Sequence, residues 1–250
     1  MTGAILAIDT SAAVSVAVLR ADGEVVEFDS GTTTTPGLVT AGGRLASNSA
    51  RRRHAEDLPP MITDALAAAR LHTNELSAVA VGTGPGPYTG LRVGVAAAQA
   101  LGFALGTPVY GVSSLDALAA AAAVEAALPV GAEVVATLDA RRREIFWARY
   151  IVAVEAGPDS LAPVGPAQVG PATELAAELA ARPAAALCGE GAALYGSGLA
   201  LSAPGASGET FEPLLPSALF IASLAKARAG AGRPQPAQPI YLRQPDVMPR

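Results

Sequence analysis

The spacing of hydrophobic positions changes along this chain, and each change marks an element. Ala4 to Ile8 is an unbroken apolar run that reads as a buried strand, closed by the polar turn Asp9-Thr10-Ser11. Val14, Val16 and Val18 then alternate with Ser15, Ala17 and Leu19, which is the period of a strand. Asp22-Gly23 is a hairpin turn signal leading into a third strand, Glu24 to Phe28. The chain is therefore predicted to open with an antiparallel three-stranded meander. Ser30 to Ala50 has no apolar period and is rich in Gly, Thr and Ser, so it reads as a mobile insertion. Leu58, Met61, Ile62, Ala65, Leu66 and Ala69 recur at helical spacing, with Pro59-Pro60 blurring where that helix starts. Ala78 to Val81 reads as a strand and Val95 to Leu105 as an alanine-rich helix. Strands follow over Pro108 to Val112, Glu133 to Leu138, Glu144 to Ile151 and Ala184 to Cys188. Helices are predicted from Ser114 to about Ala127, over Glu174 to Ala181 and over Pro216 to Ala229. This order predicts a mixed α/β architecture with helices on the sheet faces. Residues 1–105 form an N-terminal subdomain, rejoined by the helix at 216–229. Residues 106–215 form a C-terminal subdomain, and 230–250 an extended tail.

Between Val81 and Val95 lies the densest punctuation in the chain, Gly82-Thr83-Gly84-Pro85-Gly86-Pro87-Tyr88-Thr89-Gly90-Leu91-Arg92-Val93-Gly94. Glycines permit positive φ and close approach, and prolines stiffen the turn. Thr89 is placed to cap the following helix, whose free N–H groups would suit a phosphate. Gly90, Gly94, Ala98, Gly102 and Gly106 then recur every fourth position, on nearly one helical face. Each glycine costs a helix roughly 1 kcal/mol against alanine, so close packing must offset the loss. The stripe meets either the helix's own sheet or another helix.

Composition narrows the classes. Hydrophobic residues make up 51% and aromatics only 4%, so the core must be built from Ala, Val and Leu. The net charge of -5 argues against this chain alone gripping nucleic acid. Arg51-Arg52-Arg53 and Arg141-Arg142-Arg143 are too short to reverse this and read as solvated loops or local anion contacts. A single cysteine, Cys188, excludes an internal disulfide. No stretch reads as a membrane span, and the N-terminus lacks a signal-peptide pattern, so a soluble cytoplasmic protein is expected.

Candidate chemistry is sparse. His54 and His72 are the only histidines; on one straight helix they would stand about 27 Å apart and could not share an ion. Leu58 stands where a second ligand would fall one turn after His54. Asp9 and Asp139 each end an apolar strand, where α/β enzymes place metal-linked or base carboxylates. Neither Asp9-Thr10-Ser11 nor Asp139-Ala140-Arg141 carries the glycines that let a backbone wrap phosphate. Gly189 and Gly191 flank Glu190 in a weak nucleotide-like turn.

Ile8-Asp9-Thr10-Ser11, Arg53-His54-Ala55-Glu56, the glycine-proline block through Gly94, Gly111-Val112-Ser113-Ser114-Leu115, Asp139-Ala140-Arg141 and Ile240-Tyr241-Leu242-Arg243 occur in that order. Together they resemble the TsaB (YeaZ-type) family over nearly the whole chain. The resemblance implies an actin-like, sugar-kinase-like fold of two α/β subdomains. It implies a non-catalytic role in making N6-threonylcarbamoyladenosine (t6A) at position 37 of tRNA. The implied partners are a TsaD-type catalytic subunit and a TsaE-type ATPase, with a homodimer when the chain is alone and tRNA met only through the complex. ATP and a metal are expected on those partners and no cofactor on this chain. Asp9, Thr10, Ser11, Asp139, Gly189 and Gly191 become degenerate nucleotide-loop positions. A partner face is expected on two helices, from His54, Leu58, Ile62 and Leu66 and from Tyr88, Thr89, Gly90, Arg92, Gly94 and Ala98. Two other classes remain: a small-molecule kinase of the same fold, which ATP turnover would reveal, and a metallopeptidase, which metal analysis would reveal.

Overall fold

β1 (Ala4–Asp9) is buried at all six positions, so it must be paired on both edges and covered on both faces. β2 (Ser15–Leu19) pairs antiparallel with it and β3 (Val25–Asp29) pairs antiparallel with β2. On the other edge β4 (Leu76–Gly82) and then β5 (Val109–Val112) join in parallel, giving the order β3-β2-β1-β4-β5. The computed structural model describes residues 3–29, 53–154, 157, 159–195 and 215–243. The Ser30–Ala50 insertion lies outside them.

Alternation along these strands sorts the two faces. Leu6, Ile8, Val16, Val18, Val79 and Val81 pack with α1 (His54–Ala68) and α2 (Tyr88–Leu105). Ile5, Ala7, Ala17, Ala78 and Ala80 point the other way, onto α3 (Ser114–Glu125) and α6 (Ala218–Gly230). The short alanines there let the alanine-rich helices lie close to the sheet.

The second sheet is ordered β10-β6-β7-β8, with β9 on another stretch of β7. Its strands are β6 (Glu133–Arg141), β7 (Glu144–Val152), β8 (Leu161–Pro163), β9 (Gln168–Pro171) and β10 (Ala186–Gly189). α4 (Ala172–Ala181) and α5 (Glu190–Tyr195) cover one face. α3 covers the other, and its residues enter the cores of both sheets. An element apolar on all sides is a buried one.

Two expectations change and one open boundary is settled. The first sheet runs on to Val112, so the boundary at 105/106 falls too early: β5 is needed as the outer parallel partner of β4. α1 begins at His54, ahead of Pro59 and Pro60, which lie inside it and are both exposed. α2 begins at Tyr88 after Pro87, whose fixed φ of -58° sets the entry, so Thr89 lies in the first turn and does not cap.

Candidate functional site

Three segments meet at the carboxyl ends of β1 and β4: the turn after Asp9, the glycine-proline turn, and the start of α3. Asp9 is 1% exposed. Its Oδ1 accepts from the Ser11 hydroxyl at 2.6 Å and the Ser11 N–H at 2.8 Å, and its Oδ2 accepts from the Ser114 hydroxyl at 2.6 Å. Burial pushes this carboxyl up from the usual range, against the pull of those hydrogen bonds. A Cβ on Gly82 would land on the Asp9 carboxylate, so Gly82 is the wall that closes it in. Both carboxylate oxygens are thus spent inside the chain.

Thr10 explains the glycine stripe. Its hydroxyl donates to Gly90 O at 2.8 Å and accepts from Gly94 N–H at 3.2 Å. The side chain is inserted into the i to i+4 ladder of α2, an approach that only glycine permits at both positions. A Cβ on Gly94 would collide with Thr10 Oγ1, and one on Gly90 would come within 2.7 Å of Thr10 O and 2.9 Å of the His54 ring. Ala98 is fully buried in the same core, and Gly102 clears Val109. The stripe therefore faces the chain's own sheet.

This corrects the expected partner face. His54 is buried, and its Nε2 lies 3.1 Å from Ala12 O, tying α1 to the turn after β1. Leu58 and Leu66 are buried in the first core, and Ile62 is half-buried against it. Gly90, Gly94 and Ala98 are turned inward. Tyr88, Thr89 and Arg92 are exposed. Arg92 donates to the Tyr88 hydroxyl at 2.7 Å and sits over its ring, while the Tyr241 ring stands 5.0 Å away.

Sequence reasoning missed Phe103, which is 92% exposed on α2. The signal was present: Phe103 follows Gly94 by nine positions, about half a turn out of phase with the glycine stripe. Ala96, Ala100 and Ala104 are exposed on the same outward side.

The remaining expected positions lie on the second sheet and at the start of α5. Asp139 lies two residues before the end of β6 and accepts from Arg141 N–H at 2.9 Å. Gly189 has φ of 97°, and a Cβ there would strike Thr137 O. Gly191 would meet the Thr137 side chain at 3.0 Å, and that hydroxyl bonds Cys188 O and Ala192 N–H. Thr137 thus fills the space in front of both glycines. Cys188 is fully buried, and burial pushes its thiol up, away from reactivity. Among the described residues no group of three or more His, Cys, Asp or Glu side chains is placed to hold a metal, and no helix is long and apolar enough to cross a membrane.

The sheet order, the covering helices and the closed carboxylate at the end of β1 define an actin-like, sugar-kinase-like α/β protein. Comparison with known proteins makes the assignment narrower. The family model for tRNA N6-adenosine threonylcarbamoyltransferase (TsaD) matches residues 33–201. An uncharacterised protein of Mycobacterium tuberculosis is 42% identical over 214 residues, 85% of this chain and 84% of that one. The tRNA threonylcarbamoyladenosine biosynthesis protein TsaB of Haemophilus influenzae is 40% identical over 102 residues, 41% of this chain and 42% of its own. A crystal structure from Pseudomonas aeruginosa, of an uncharacterised protein with similarity to the peptidase YeaZ, superposes with a TM-score of 0.71 at 29% identity. It covers 96% of this chain and 100% of that one. The chain belongs to this threonylcarbamoyltransferase family, in its TsaB/YeaZ-type branch.

Proposed function

We propose that this chain is a non-catalytic subunit of the machinery that makes t6A on tRNA, pairing with a TsaD-type catalytic subunit and, with it, a TsaE-type ATPase. The observation that carries the reading is the enclosure of Asp9. A carboxylate serving a metal or a nucleotide needs an open side, and this one is capped by two serines and walled by Gly82. His54 is likewise consumed by Ala12 O. What the chain does offer outward is the far face of α2, with Phe103 beside Ala96, Ala100 and Ala104. We place the partner contact on this face, continued by Thr89, Arg92 and Tyr88. Burying one such aromatic contributes on the order of 1.5–3 kcal/mol. The same face would close a homodimer when the partner is absent, since a two-fold contact reuses one patch. ATP and metal belong to the partner subunits in this reading, and its setting is the cytoplasm.

The test is reconstitution. The chain mixed with its TsaD-type and TsaE-type partners, ATP, threonylcarbamoyl donor and unmodified tRNA is expected to yield t6A; the chain alone is expected to yield none and to turn over no ATP. Phe103→Asp is expected to leave the circular dichroism spectrum and melting temperature unchanged, because the ring packs on nothing. It is expected to abolish association in the ultracentrifuge and t6A formation with it. ATP turnover by the chain alone would move it to the kinase reading.

A further inference from the structure

α2 turns two different stripes to its two sides. Gly90, Gly94, Ala98 and Gly102 face inward, and Thr89, Arg92, Ala96, Gln99 and Phe103 are exposed. The outward residues recur at alternating steps of three and four, the spacing of a seam along which one helix meets another. Ala96, Ala100 and Phe103 make the middle and the far end of this seam apolar. Its near end differs in kind. There Arg92 donates to the Tyr88 hydroxyl at 2.7 Å, and its guanidinium carbon lies 5.0 Å from the centre of the Tyr88 ring. Tyr241, from the C-terminal segment, stands against the same ring, 5.0 Å away and tilted by 32°. The neighbouring Ile240 N–H, donating to Thr83 O at 2.8 Å, fixes that segment beside the start of α2.

The three side chains hold one another, yet both rings stay more than two-fifths exposed. The Tyr88 hydroxyl accepts from Arg92, so its own proton is left to donate, as are the remaining N–H groups of the guanidinium. Among the described residues no carboxylate pairs with Arg92, whereas Arg20, Arg53, Arg149, Arg228 and Arg243 each pair with one. α2 itself has no Asp or Glu along its length. A guanidinium already held by a ring and a hydroxyl gives up less freedom on binding than a free one. The cluster is thus a fixed set of donors with no anion of its own.

We infer that Arg92, held by Tyr88 and Tyr241, receives a carboxylate from the facing surface of the TsaD-type subunit. This rests on the partner reading proposed above and names the chemistry of its polar end. Arg92 and Phe103 are eleven positions apart on one face of α2, about 17 Å along the helix. A protein surface that packs on Ala96, Ala100 and Phe103 therefore also covers Arg92. A guanidinium taken out of water without a counter-charge opposes the contact strongly, and a carboxylate across from it removes that penalty. The apolar end supplies buried area, and the charged end fixes which way the two surfaces run. Tyr88 and Tyr241 are positioning residues: they aim the guanidinium and do not carry the charge.

The experiment titrates the full chain with its TsaD-type partner at several salt concentrations, with circular dichroism as the check on folding. Arg92→Gln is expected to weaken the pair about tenfold at low salt and to flatten the dependence of affinity on salt. Arg92→Lys keeps the charge but not the fork and should fall between Arg92→Gln and wild type. Tyr88→Phe is expected to weaken the pair by a smaller factor while leaving the salt dependence in place, which a general loss of packing would not separate. Arg92→Glu is expected to block pairing, and one Asp or Glu changed to Arg on the partner's facing surface is expected to restore it. Unchanged affinity and salt dependence in Arg92→Gln, with Phe103→Asp still blocking association, overturns the carboxylate contact and leaves the partner reading standing. Normal pairing by Arg92→Glu with weakened tRNA binding by the assembled pair overturns it too, and makes the cluster a phosphate contact. Normal pairing with loss of self-association overturns it in favour of a second copy of this chain. Failure of every acid-to-arginine change to restore Arg92→Glu also counts against it. A Phe103→Asp chain that pairs normally overturns both readings.

Discussion

Thr10 sets how α2 sits on the first sheet. Its hydroxyl replaces a direct helical bond by bridging Gly90 O and Gly94 N–H, and no residue larger than glycine leaves room for it. Gly94→Ala is therefore expected to destabilise the chain by about 1–3 kcal/mol, as overpacking does, and Gly94→Leu to unfold it. Removing the obstacle, in Thr10→Ala with Gly94→Ala, should cost less than the two single changes together. Urea melts of the four proteins measure this; a fully additive pair would mean that the two residues do not touch energetically. A second residue-scale effect lies on the opposite face of the sheet. Asp9, Ser15 and Asp29 occupy one rung across β1, β2 and β3. Burial, then repulsion from Glu27 and Asp9, pushes the Asp29 carboxyl up to about 7, while a hydrogen bond with Ser15 pulls it down. Glu27 is itself committed, accepting from the Ser217 hydroxyl at 2.7 Å and Leu219 N–H at 3.1 Å at the start of α6. A carboxyl raised in the folded state holds its proton there at pH values where the unfolded chain has lost it. Stability should accordingly fall as pH rises from about 4 through 7. Asp29→Asn is expected to flatten that fall and to be more stable than wild type at pH 8. Equal slopes for the two proteins in thermal melts from pH 4 to 8 would refute it.

At the scale of elements, legibility followed local pattern. The meander was readable because strict alternation and Asp22-Gly23 leave few other folds for that stretch. The four-residue spacing on α2 was readable as a face, but spacing cannot say which side of the helix meets the sheet. Thr10, 80 positions before Gly90, decides that, and so moves the outward face to Phe103. The start of α1 was left open for a related reason: two prolines weaken a helix locally, yet His54 and Leu58 are drawn inward by tertiary burial, which outweighs propensity. The second sheet contains a tie with no local signal at all. Arg149 on β7 is 4% exposed and donates to Glu178 of α4 at 2.9 Å, Glu133 of β6 at 2.7 Å and Arg182 O at 3.0 Å. Trp147 Nε1 also donates to Glu178, at 3.1 Å. Arg149→Ala would leave both carboxylates facing a void, and a cost of about 3–5 kcal/mol is expected. Arg149→Met keeps the stem but not the charge and should recover only a minor part. A loss below 1 kcal/mol in chemical denaturation would show that water satisfies the pair.

For the whole molecule, the question is what joins two sheets that share no strand. α3 does so from inside, contributing to both cores. A second link is the extended segment 233–243, which has no regular structure and was legible as an extended tail but not as a tie between the sheets. Arg233 pairs with Asp159 beyond β7, and Gln235 O accepts from Gly111 N–H at 3.0 Å on the edge strand β5. Ala237 O accepts from Gln99 of α2 at 2.8 Å, and Ile240 N–H donates to Thr83 O at 2.8 Å. Tyr241 then meets Tyr88, and Arg243 reaches the hairpin of the second sheet. Ala237 packs on the first core and Leu242 on the second, so the segment is anchored by apolar burial at both ends. It also covers β5, whose unpaired backbone would otherwise be a template for another chain. Ending the protein at Gly232 should therefore have two effects of different kind. The melting temperature should fall, and calorimetry should show the single transition broaden or split as the sheets lose one of their ties. The bared β5 edge should promote self-association that grows with concentration and is insensitive to Phe103→Asp, because it uses the sheet edge and not α2. Restoring residues 233–243 as a separate peptide should reverse both effects. A truncated chain that melts like the full one in a single sharp transition, and stays monomeric in the Phe103→Asp background, would show that the segment is not one of the ties between the two sheets.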